Sequence, residues 1–74
     1  MDKRNIEIGN KIKKMINDYN YTEEELAKKM KISLKELKMI LNGEKEITEV
    51  QILDITKTFN LSIEQCAKIF FDQI

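Results

Sequence analysis

The stretch LAKKMKISLKELKMILNG, Leu26 to Gly43, decides how this chain is read. Apolar residues recur in it at helical spacing, first as Leu26, Ala27 and Met30, then as Leu37, Ile40 and Leu41. Between the two runs only Lys31 and Ile32 precede Ser33, a residue that readily caps a helix N-terminus. Two short helices therefore meet at a tight turn, and the second carries Lys35 and Lys38. Gly43 follows as a natural terminator, because it tolerates positive φ. Either this second helix presents its lysines as a working surface, or it is only the middle of a small helical core.

Working outward, one capping signature repeats. A Ser or Thr that accepts from the N3 amide, with an N3 Glu or Gln reaching back, satisfies two orphan donors of a helix. The pattern occurs as Thr22 with Glu25, Ser33 with Glu36, Thr48 with Gln51 and Ser62 with Gln65. Helices are expected to begin near residues 23, 34, 49 and 63, with helix 2 over about 23–30 and helix 3 over about 34–42. An earlier helix over about 5–18 follows from the stripe Ile8, Ile12, Met15, Ile16 and Tyr19, and NDYNY ends it. Helix 4 offers Val50, Ile52, Leu53, Ile55 and Phe59; helix 5 offers Ile63, Cys66, Ala67, Phe70 and Ile74. No strand pattern, repeat or linker appears. The expected fold is all-α, a compact five-helix domain spanning residues 1–74.

Bulk properties narrow the function. With 74 residues, 42% apolar and 35% charged, no proline and two glycines, the chain reads as one small helical domain rather than a disordered one. No run approaches the ~20 apolar residues of a membrane span, and MDKRNIEIG is not a signal peptide, so a cytoplasmic location is expected. The single cysteine excludes an internal disulfide; at a core spacing, Cys66 reads as a small hydrophobe. Without histidine, a second cysteine or a Gly-rich phosphate loop, no metal, cofactor, small-molecule ligand or catalytic role is expected. Net charge is zero, but residues 1–45 hold 11 basic and 8 acidic side chains while residues 46–74 hold 2 and 5. One end is therefore more basic than the other.

The turn at Lys31–Ser33 is that of a helix-turn-helix, and the pattern around it resembles the Cro/phage-repressor-type regulators, also called the xenobiotic-response-element type. The resemblance runs from about Ile8 to Cys66. It rests on Gly9 and Ile12, on Thr22 to Ala27, on Ile32 and Ser33, on Leu37 and Ile40, on Asn42 and Gly43, and on FNLSIEQ from Phe59 to Gln65. Family members often pair an Arg late in helix 1 with a Glu two residues before the glycine. Those positions are Ile16 and Leu41 here, so both charges are replaced together, as a helix 1–helix 3 contact demands.

The resemblance implies a lambda repressor-like fold and a sequence-specific, repressor-like transcriptional regulator that places helix 3 in the major groove of double-stranded DNA. Carried over by position, Leu34, Lys35, Lys38 and Met39 would face bases, while Asn42 and Lys45 would lie near phosphates, with Lys28 bordering the basic face. Lysine can donate to guanine O6/N7, and an apolar side chain can touch a thymine methyl. Lys11, Lys13, Lys14, Lys29 and Lys31 could add attraction to the backbone. Three residues fit less well. Glu23 replaces a usual Gln and is more simply explained by the helix N-terminus, which favours negative charge. Glu36 could accept from cytosine N4, but its capping position accounts for it. Leu34 replaces a usually polar residue. These features keep open an alternative, a helix-turn-helix protein-interaction module that no longer reads DNA.

Glu24 with Lys28 and Glu25 with Lys29 are expected i,i+4 pairs. Tyr19 and Tyr21 are expected to anchor the helix 1–2 turn. In KIFFDQI, Phe70 and Phe71 cannot share one helix face. Either one is exposed for a protein contact or both wrap the domain's own core. Because such regulators commonly dimerise through helix 5, Phe70, Phe71 and Ile74 are the candidate residues for a homodimer interface.

Overall fold

The structure, a computed structural model, describes residues 2–71. Five α-helices follow one another: α1 Lys3–Asp18, α2 Glu23–Met30, α3 Leu34–Leu41, α4 Glu49–Thr58 and α5 Ile63–Cys66, the last continuing into a π-helical turn, Ala67–Phe71. Local chemistry starts each one. Thr22, Ser33, Thr48 and Ser62 accept from the amides of Glu25, Glu36, Gln51 and Gln65 at 3.0–3.2 Å. The reciprocal bond closes the box at Thr22, Thr48 and Ser62. Asp2, not foreseen as a cap, starts α1 by accepting from the Arg4 amide at 2.8 Å.

The helix ends are as regular as the starts. Each of α1 to α4 closes with a residue at positive φ: Asn20 (58°), Lys31 (59°), Gly43 (78°) and Asn60 (53°). The following amide then reaches back five residues, as in Tyr21 to Ile16, Ile32 to Ala27, Glu44 to Met39 and Leu61 to Thr56. This is the Schellman closure, which satisfies orphan carbonyls. Three joints share one pattern, a left-handed residue, an apolar residue and a Ser or Thr cap: Asn20-Tyr21-Thr22, Lys31-Ile32-Ser33 and Asn60-Leu61-Ser62. Tyr21, Ile32 and Leu61 pack against the core, so each turn is pinned from inside.

Among the described residues the core comprises fifteen buried apolar residues, with Ile12, Leu26, Leu37, Ile40, Ile55 and Phe70 sealed almost completely. α1 packs on α3 and on the C-terminal turn, and α2 packs on α3 and α4. Ile16 and Leu41 are both buried in this cluster, so the two apolar replacements sit inside it. Gly9 allows α1 to lie directly on the end of α3: a Cβ there would overlap the Leu41 carbonyl oxygen and come within 2.8 Å of that of Ile40. Tyr19 and Tyr21 flank the Phe59 ring, with centroids 4.9 and 5.0 Å away.

Several expected core positions lie outside it. Val50 and Leu53 of α4 are 67% and 57% exposed, and Ile63 of α5 is 89% exposed. α4 turns Ile52, Ile55 and Phe59 inward instead, and Gln51 joins them at 7% exposure. At the C-terminus the two phenylalanines divide. Phe70 belongs to the domain's own core at 1%, so it is not a surface residue, whereas Phe71 is exposed. Ile74 lies outside the described residues.

Candidate nucleic-acid interface

α3 is held by one face and open on the other. Leu37, Ile40 and Leu41 are buried, whereas Lys35, Lys38 and Asn42 are exposed and Leu34 and Met39 are half-buried. The open face is continuous: Leu34, Lys35, Lys38, Met39 and Asn42, with Glu44 beyond the helix, line one shallow depression. The Ser33 cap fixes the start of the helix and the positive φ of Gly43 its end. Side chains on this face therefore project from a rigid rod.

Two other candidates stand elsewhere. Lys28 lies on α2 in a separate depression with Tyr21, Glu25 and Lys29. Lys45 leans back on the protein, its Nζ donating to Glu36 Oε2 at 2.7 Å. The same oxygen accepts from Gln51 Nε2 at 3.0 Å, and Gln51 Oε1 accepts from the Thr48 amide at 2.9 Å. Glu36 thus does not reach back to close the Ser33 box. Its carboxylate ties the start of α3 to the loop and to the start of α4. The Lys45 hydrogen bond, then that of Gln51, holds the Glu36 carboxyl below the ordinary glutamate value of 4.5.

The surrounding cations are also partly engaged. Lys11 Nζ donates to the Lys68 carbonyl at 2.9 Å and Arg4 Nη2 to that of Phe70 at 2.6 Å, so α1 clasps the C-terminal turn. Lys14 pairs with Asp18 at 3.2 Å. Among the described residues the ion pairs are this one and Lys45–Glu36. The expected Glu24–Lys28 and Glu25–Lys29 pairs do not form, and the Glu25 carboxylate instead accepts from the Thr22 amide. Three carboxylates, Glu23, Glu24 and Glu25, occupy the first turn of α2, where the helix end favours them.

Among the described residues no group of three or more His, Cys, Asp or Glu is arranged to hold a metal ion, and no helix is long and apolar enough to cross a membrane. Cys66 is half-buried, 3.4 Å from the Thr56 hydroxyl.

A family model described as helix-turn-helix matches residues 12–66. No curated protein and no solved structure matches the chain. The matched span runs from the middle of α1 to the end of α5 and contains the whole α2–turn–α3 unit. With five helices, a capped turn and one open face on its second motif helix, the chain belongs to the Cro/phage-repressor-type helix-turn-helix family of DNA-binding regulators.

Proposed function

We infer that this chain is a sequence-specific transcriptional regulator of the repressor type, acting as one domain that seats α3 in the major groove. The observation that carries this reading is the division of α3, with Leu37, Ile40 and Leu41 anchoring it and Lys35, Lys38 and Asn42 outward on the opposite side. The lysines present donors that suit guanine O6 and N7, and the Asn42 amide can donate to a phosphate. A homodimer on a pseudo-palindromic site completes the reading, with two copies of α3 about 34 Å apart, one duplex turn. Val50, Leu53, Ile63 and Phe71 supply exposed apolar surface for that pairing, and Leu53 and Phe71 line one depression with Ile52 and Cys66.

The test is a fluorescence titration of genomic duplex fragments over a range of salt. Binding should weaken steeply as salt rises, and Lys38→Glu should abolish it. An intact chain that binds no duplex at low salt would overturn the reading. A second reading, a protein-interaction module, draws on Leu34 and Met39 in the depression and on Glu44 at its end; that same absence of duplex binding would favour it.

A further inference from the structure

We propose that Leu34 and Met39 are specificity-determining residues that read the C5-methyl groups of thymine, so that the preferred site is marked by thymines flanking the bases met by Lys35 and Lys38. The proposal rests on the major-groove reading above and extends it to the base chemistry recognised.

The geometry starts from the helix wheel. At ~100° per residue, Lys38, Asn42 and Lys35 lie ~40°, ~80° and ~100° around from Leu34, and Met39 lies at ~140°. The open face of α3 therefore has a polar centre and two apolar rims. Both rim residues are half-buried and both line the depression that the lysines and Asn42 share. The side chains beneath them, Leu37, Ile40 and Leu41, are already buried in the core, so the outer surfaces of Leu34 and Met39 are left over from folding.

A groove-bound helix meets hydrogen-bonding base edges along its centre, while its flanks approach the pyrimidine C5 positions toward either wall. Thymine carries a methyl group there and cytosine does not. A long apolar side chain gains by covering that methyl and offers nothing to a bare C5–H or to a phosphate. Two lysines between the rims supply the attraction that brings a polyanion to this face, which a purely apolar strip for another protein would not need.

The experiment uses the full chain and two random-sequence duplex pools, identical except that one carries deoxyuridine in place of thymidine. Uracil keeps every hydrogen-bonding group of thymine and lacks only the methyl. Sequences selected from the thymidine pool should bind at least about fourfold more weakly when remade with deoxyuridine, since burying one methyl-sized group is worth ~0.8 kcal/mol. Met39→Gln and, separately, Leu34→Ser should each shrink that ratio toward one, with folding of both variants checked by circular dichroism. Met39→Gln, on the opposite rim, keeps the test decisive where Leu34→Ser fails to fold. Equal affinity of the wild-type chain for both versions would overturn the methyl readout while leaving DNA binding intact. Failure to bind either pool at low salt would overturn both readings at once.

Discussion

Glu36 and Lys45, nine residues apart, meet at 2.7 Å, and the same carboxylate oxygen takes a hydrogen bond from Gln51. The contact joins α3, the following loop and α4, and it cancels the charge that Lys45 would otherwise bring to a phosphate. Counterion release scales with phosphates neutralised, at ~0.9 per contact in the salt slope. Lys45→Met should therefore leave the salt dependence of duplex binding nearly unchanged, where loss of an independent phosphate contact would lower the slope by about one. A slope lowered by that amount would show that Lys45 works as an independent phosphate contact.

The same pair makes stability respond to acid. Because its partners favour the charged form, the Glu36 carboxyl lies lower in the folded chain than in the unfolded one. Its stabilisation is present above the ordinary value of 4.5 and is lost as pH falls through the lowered folded value. Denaturant titrations from neutral to acid pH should show a loss in the wild type that is smaller in Glu36→Gln. Parallel curves for the two proteins would refute the coupling.

Gly9 faces opposing effects. Alanine in a helix interior is ordinarily favoured over glycine by ~1 kcal/mol. Here the added methyl would run into the Leu41 and Ile40 carbonyl oxygens, which are backbone and cannot rotate aside. Forcing α1 away from α3 should cost ~3 kcal/mol, outweighing the propensity. The net loss of ~2 kcal/mol in Gly9→Ala should therefore lower Tm by ~8–16 °C, at ~4–8 °C per kcal/mol for a domain of this size.

Lys31 holds the left-handed conformation at φ 59° and ψ 41° in the turn between α2 and α3, without a glycine's freedom. The conformation costs a non-glycine residue ~1–2 kcal/mol, and glycine's greater unfolded-state entropy returns only part of that. Lys31→Gly should raise Tm by a few degrees, whereas Lys31→Val should lower it. Calorimetry at high salt, where the lost charge matters little, separates the two outcomes.

Leu53 separates self-association from folding. At 57% exposure it contributes little to the monomer core, so Leu53→Glu should change the stability of dilute protein by no more than ~0.5 kcal/mol. It should nevertheless weaken the homodimer, because a carboxylate would be desolvated in an apolar contact. Sedimentation of both proteins over a concentration series checks this, and an unchanged association constant would remove Leu53 from the interface.

What the sequence determined by itself was local. A Ser or Thr followed three residues later by Glu or Gln marked four helix starts, and Gly43 marked an end, because caps are bonds between neighbours in the chain. The spacing of Leu37, Ile40 and Leu41 likewise announced which side of α3 is buried. The left-handed turn at Lys31 is not legible in the sequence, since a lysine carries no sign of positive φ. The rest belonged to tertiary structure. Whether Leu53 or Gln51 turns inward depends on which face of α4 meets α2, and the periodicity of an apolar-rich helix permits more than one answer. The destination of the Glu36 carboxylate also required three separate elements to be brought together. Its position fitted a local cap, but Lys45 and Gln51, nine and fifteen residues away, supplied a cation and an amide that the neighbouring backbone could not.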